Sequence, residues 1–189
     1  MLVDRCVNEA SAGAMVLVDG DLETDWRVPP SWLSDLLGRA AARGVVVAAV
    51  TKRSSLSRGG APLLGAMEME AGRELGARAM WWAPVARSRA GARVVAARLD
   101  PDAPYAFRVD LSPGVDPEQA LSALSAVCDD AGFPGYPYPL TVADRLAACP
   151  PWLRQYSWFE VDELLDRAGV PAEVRERAFA DRHDLMERF

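Results

Sequence analysis

The run "VVVAAV", residues 45 to 50, holds no polar side chain and lies between Gly44 and the polar "TKRS". A strand with one face in water alternates polar and apolar residues, so an uninterrupted run of this length predicts a strand covered on both faces. The chain must then supply helices for both sides of a sheet. Just upstream, "PPSWLSDLLGRAAARG" has prolines at its start, leucines and alanines at helical spacing, and Gly44 as a stop. Before it, "AMVLVDGDLE" predicts a strand over Met15 to Val18 that ends in the turn-forming pair Asp19-Gly20. The result is a strand, helix, strand unit.

The remaining pattern extends this unit. "TKRSSLSRGG" reads as a polar loop, and "PLLGAMEMEAGRELG" as a helix weakened by Gly65 and Gly72. "AMWWAPVA", "ARVVAARLD" and "YAFRVDL" read as strands, the last two joined by the turn-rich "DPDAP". Alternation in "YAFRVDL" puts Tyr105, Phe107, Val109 and Leu111 on one face and Arg108 with Asp110 on the other. "DPEQALSALSAVCDDAG" predicts a helix with Asp116 as N-cap, Pro117 in the first position and Gly132 at its end. Then come "GYPYPLTVADRL", a short helix that Pro150 and Pro151 stop, and two terminal helices in "WFEVDELLDRAG" and "PAEVRERAFADRHDLMERF". The fold class is α/β with a helical C-terminal end, expected as one domain over 1–189 with its core at about 14–150 and C-terminal helices at about 158–189.

Composition narrows the function. No segment reaches the eighteen or more apolar residues of a membrane span, and "MLVDRCVNEA" lacks the basic start and apolar middle of a signal peptide, so a cytoplasmic protein is expected. Cys6, Cys128 and Cys149 are odd in number and widely spaced, and His183 is the single histidine, which argues against a disulfide framework and a zinc site. The net charge is −6, but Thr51 to Leu99 carries nine basic residues against three acids. Such a basic segment suits either phosphate contacts or a solvated surface.

Candidate chemistry rests on oxygen ligands. Asp19 stands where an apolar strand emerges, the place where α/β sheets present working groups, although Asp-Gly is also a common turn. Asp144 has two readings: Thr141-x-x-Asp144 resembles a capping box, while Pro137 and Pro139 stiffen the approach to the helix and so aim the carboxylate. Lys52 is the one lysine beside twenty arginines, a bias that genome composition produces, and a compact cation at a strand end can hold a phosphate oxygen. Glu68 and Glu70 lie about 200° apart on a helix, so at most one faces a shared centre, and the default for both is the surface. Arg108 and Asp110 fit a structural ion pair, or a phosphate contact and a metal ligand. No P-loop, dinucleotide glycine fingerprint, serine elbow or cysteine box occurs. Carboxylates without thiols or imidazoles suit Mg²⁺ or Mn²⁺.

Taken in order, "VLVDGD", "VVVAAVTKRS", "FRVDL" and "GYPYPLTVADRLA" resemble the motifs of the NurA family, nucleases of DNA-end processing. The resemblance spans about Ala14 to Ala148. It implies an RNase H-like mixed sheet flanked by helices and a Mn²⁺- or Mg²⁺-dependent deoxyribonuclease, a homodimer working with a HerA-like hexameric ATPase on DNA ends. By this match Asp19, Lys52 and Asp144 are catalytic, Arg53 and Arg108 contact substrate, and Asp19, Glu70, Glu68 and Asp110 are the metal ligands. The alternative is a NurA-like adaptor module that binds DNA and a translocase ATPase with little or no catalysis.

Overall fold

The computed structural model describes residues 2–23, 29–147 and 151–179; Cys149, Pro150 and His183 lie outside the described residues. Two compact units divide the chain, Met1–Arg145 and Leu146–Phe189.

In the first unit the elements are α1 (Leu2–Glu9), β1 (Met15–Asp19), α2 (Pro30–Ala42), β2 (Val46–Thr51), β3 (Ser57–Arg58), β4 (Ala61–Pro62), α3 (Leu63–Glu74), β5 (Trp81–Arg87), β6 (Arg93–Arg98), β7 (Phe107–Leu111), α4 (Pro117–Ser125) and α5 (Tyr138–Ala147). Five strands form one sheet in the order β1-β2-β7-β6-β5. β1 and β2 run parallel, whereas β2–β7, β7–β6 and β6–β5 are antiparallel. The sheet is thus mixed and mostly antiparallel, with helices on its two faces.

β2 is buried along nearly its whole length, and its side chains divide between two cores. Ala48 and Val50 join Val109, Leu111, Val95 and Ala97 under Leu121 and Leu124 of α4 and Leu140 of α5. Val47 and Ala49 join Leu33, Leu36 and Leu37 of α2 and Val7 of α1. Each face has its own cover, as the unbroken apolar run requires. Helix α1 emerges because Val3, Val7 and Ala10 recur at helical spacing and pack on that second core. Its last turn is held by the Arg43 guanidinium, which donates to the carbonyls of Val7, Asn8 and Ala10 at 3.2, 2.8 and 3.2 Å. Those are the carbonyls that a helix end leaves without partners.

Several boundaries differ from expectation. Tyr105 is 66% exposed, because β7 begins at Phe107 and Pro104 and Tyr105 lie in a bend before it. The loop after β2 contains the small β3–β4 hairpin. α4 starts as expected, with Asp116 accepting from the Glu118 N–H at 3.2 Å, but stops at Ser125, short of Gly132. α5 starts at Tyr138, so Thr141 lies inside the helix and the capping box does not form. The Thr141 hydroxyl is buried without a hydrogen-bond partner. β5 is an edge strand with Pro84 at its middle and a register shift between Pro84 and Ala86. A residue without an N–H is tolerated where no further strand pairs.

The second unit contains α6 (Pro151–Arg167) and α7 (Ala172–Phe179). Pro151 opens α6 seven residues before Trp158, occupying a first-turn position where the missing N–H has no helical partner to lose. Arg175 of α7 clamps the pair through Asp162 at 2.9 Å and Asp166 at 2.7 Å. Among the described residues no helix is long and apolar enough to cross a membrane.

The "GYPYP" segment is seated by one close approach. Gly135 has φ of 85°, and a Cβ there would collide with Ala103 in the β6–β7 connection. Its N–H donates to the Cys128 carbonyl at 2.8 Å, and the Tyr138 N–H donates to the Val127 carbonyl at 2.8 Å. Gly135→Ala combines a left-handed conformation costing roughly 1–2 kcal/mol with that collision. The expected loss is at least about 2 kcal/mol, seen as a melting point lower by roughly 4–8 °C in circular dichroism. Adding Ala103→Gly restores part of it; a Gly135→Ala protein as stable as the parent contradicts the packing described.

Candidate functional site

Two parallel neighbours in a sheet bring their C-terminal ends to the same edge. Asp19 closes β1 opposite Val50 of β2, and Lys52 follows two residues beyond Val50. Gly20, with φ of 124°, turns the chain out of the strand while its N–H donates to the Val50 carbonyl at 3.1 Å and its carbonyl accepts from the Thr51 hydroxyl at 2.7 Å. Lys52 Nζ donates to Asp19 Oδ2 at 3.0 Å and lies 3.4 Å from Asp144 Oδ2. Asp144 reaches this point from the middle of α5 because that helix starts early. The structure therefore brings Asp19, Lys52 and Asp144 together.

Tyr136 completes the cluster. Its hydroxyl donates to Asp19 Oδ1 at 3.0 Å, and its ring lies 5.2 Å from Lys52 Nζ. The ring itself is locked between Phe107 and Phe133, each with centroids 5.5 Å away, and only 1% of the residue is exposed. Burial, with the hydrogen bond and charge of Asp19, raises the Tyr136 phenol above its ordinary range, so it stays protonated and donates. The sequence patterns that pick out Asp19, Lys52 and Asp144 do not single out Tyr136. The available signal was a bulky phenol inside a buried-looking Gly-Tyr-Pro segment, since a buried tyrosine needs a partner for its O–H.

For Lys52, partial burial lowers the pKa, but the hydrogen bond and charge of Asp19, then those of Asp144, outweigh it and raise the net value. A folded-state pKa above the unfolded one means that the ion pair contributes fully below the ordinary lysine range and fades as pH rises through the raised value. At neutral pH the ammonium is in place. Asp19 and Asp144 are 41% and 63% exposed, so the cluster faces solvent.

Arg108 and Asp110 lie elsewhere. Asp110 stands opposite Ala49, and Arg108 opposite Thr51, whereas Asp19 shares a lateral row with Val50 and Val109. The pleat thus places Asp19 and Asp110 on opposite faces of the sheet. Asp110 is fully buried and accepts a two-pronged hydrogen bond from Arg108 at 2.8 and 2.8 Å, plus the Leu22 N–H at 3.0 Å. Arg108 also donates to Glu23 at 2.9 Å and lies 3.5 Å from Asp21. Burial lowers the Arg108 pKa, but its carboxylate partners more than offset this and the guanidinium stays charged. This is a structural pair that fastens the chain leaving β1; the metal-ligand position expected for Asp110 and the substrate contact expected for Arg108 do not fall beside Asp19.

The other candidates also scatter. Glu68 accepts a hydrogen bond from the Ala106 N–H, tying α3 to the β6–β7 connection. Glu70 and Arg53 are exposed. Among the described residues no group of three or more carboxylate, histidine or cysteine side chains is gathered for a metal ion. Asp19 and Asp144 alone offer two oxygen donors, which fits a Mg²⁺-like ion that takes one or two carboxylates and fills its remaining positions with water and substrate phosphate. Cys128 is buried and its thiol is pushed up to about 12 by desolvation, then by Asp100 and Asp129, so it is inert.

The two carboxylates should behave oppositely in unfolding experiments. Asp110→Ala leaves Arg108 buried without its main partner and is expected to cost about 3–5 kcal/mol. Asp19→Asn removes an exposed pair and should cost no more than about 1 kcal/mol. Urea titrations of both variants check this, and equal losses would refute the assignment of Asp110 to structure and Asp19 to the site.

No protein-family model matches the sequence, and no curated protein matches it. The fold is similar to the crystal structure of the NurA nuclease from Sulfolobus solfataricus, with 15% identity and a TM-score of 0.58. The similarity covers 88% of this chain and 64% of that one. At this identity the likeness is one of fold, and the chain spans less than two thirds of the NurA structure it resembles.

Proposed function

We propose that the chain is a deoxyribonuclease of the NurA type, with an RNase H-like sheet, that hydrolyses phosphodiester bonds at DNA ends. The observation that carries this reading is the convergence of Asp19, Lys52 and Asp144 at the C-terminal edge of β1 and β2, on a NurA-like fold. Asp19 and Asp144 are the residues that would hold Mn²⁺ or Mg²⁺, which supplies Lewis-acid polarisation of a phosphoryl oxygen and an activated water. Lys52 binds a non-bridging phosphate oxygen as a point charge. Tyr136 keeps its proton on Oη and orients Asp19. Arg53, Arg58, Arg87 and Arg89 are exposed within the basic segment and are available to the DNA backbone. The same reading carries a homodimer and a HerA-like hexameric ATPase as partner.

A second reading is the adaptor module, which binds DNA and the ATPase without cutting. The absence of a three-carboxylate group among the described residues favours it.

The two readings separate in one assay. The full chain, given end-labelled linear DNA and Mn²⁺, is expected to release nucleotides and to stop on chelation. Asp19→Asn should lower the rate at least about 100-fold, or about 2.7 kcal/mol of barrier, with a melting point lowered by no more than roughly 2–4 °C. DNA bound but never cut, with or without the ATPase, establishes the adaptor; a fully active Asp19→Asn protein removes the proposed site.

A further inference from the structure

Lys52 stands where a cation for the carboxylate pair would have to act. Its ammonium bridges Asp19 Oδ2 at 3.0 Å and Asp144 Oδ2 at 3.4 Å, and Asp19 Oδ1 already accepts from Tyr136 at 3.0 Å. Both oxygens of Asp19 therefore have donors without any added ion. The Tyr136 ring, 5.2 Å from Nζ, adds a further attraction for the ammonium. Charge counting points the same way: one resident cation partly neutralises two carboxylates, and a divalent ion against the same oxygens would meet it as a like charge.

We propose that Lys52 is a displaceable internal counter-ion: it occupies the Asp19–Asp144 pair in the free protein, and a DNA phosphate draws it off, opening the pair to a divalent cation. The inference rests on the nuclease reading and adds regulation to it. The side chain suits the task. Lysine has a flexible four-carbon stem, and Lys52 is 35% exposed in the bend directly after β2, so Nζ can swing toward a phosphate without moving the strand. An arginine fork would hold a fixed two-pronged geometry instead. Because coupling between two ligands is reciprocal, DNA then raises affinity for the metal and the metal raises affinity for DNA. The protein avoids holding a reactive ion when no substrate is present.

The test measures Mn²⁺ binding to the full chain by electron paramagnetic resonance, which needs no turnover. Lys52→Met is expected to bind Mn²⁺ at least tenfold more tightly than the parent, and Lys52→Arg to remain near the parent. The gain should vanish in Lys52→Met with Asp19→Asn. A phosphorothioate oligonucleotide should tighten Mn²⁺ binding more in the parent than in Lys52→Met. Circular dichroism confirms that each variant is folded. Unchanged Mn²⁺ affinity in Lys52→Met, a gain that survives Asp19→Asn, or equal tightening by the oligonucleotide in both proteins overturns the proposal. Failure of the nuclease reading shows separately, as a parent protein that follows this binding pattern and never cuts DNA.

Discussion

The burial of β2 on both faces is the constraint from which the rest of the first unit follows. Once successive side chains of Val46–Thr51 are committed to opposite cores, every residue in a neighbouring strand is assigned to a face by its register with β2. Val50 brings Asp19 and Val109 to the side covered by α4 and α5, while Ala49 brings Asp110 to the side covered by α1 and α2. Carboxylates on two strands that flank β2 thereby acquire different chemical lives. One is exposed and shares a lysine; the other is dry and holds a guanidinium.

The two environments show why burial and reactivity separate here. Asp110 has both its oxygens directed at fixed donors, so its charge stabilises position and is closed to solvent. Asp19 also has two partners, but one is a partly exposed ammonium at the surface. The buried phenol of Tyr136 supplies the rigid half of that arrangement, because its ring has no room to leave Phe107 and Phe133. Precision at an exposed carboxylate is achieved by a rigid neighbour with a polar tip, an arrangement suited to a working site.

Much of this was legible in the residues. The apolar run at 45–50, the Asp-Gly ending of β1 and the Asp116-Pro117 start of α4 each carry a local physical signal, and the corresponding elements formed. Lys52 and Asp144 were identifiable because each follows or lies within a strongly punctuated stretch. The face of Asp110 relative to Asp19 was not, since alternation within β7 sorts its own residues and says nothing of the register with β2. Thr141 misled because the T-x-x-D pattern matches a cap, whereas Pro139 in the first turn lets the helix start at Tyr138. The partner of Tyr136 lies 117 residues away in sequence, beyond any local pattern.

Between Asp19 and Leu22 the chain passes from one face of the sheet to the other, with Gly20 as the pivot. Tyr136 grips it at one end of this crossing, and Asp110 grips the Leu22 N–H at the other. A shift of β1 by a single residue would break both grips and exchange Val18 for Asp19 at the site, burying a charge and exposing a valine. The two anchors therefore work as a ruler of fixed length: substitutions along this stretch change chemistry, but a one-residue insertion or deletion changes which residue arrives.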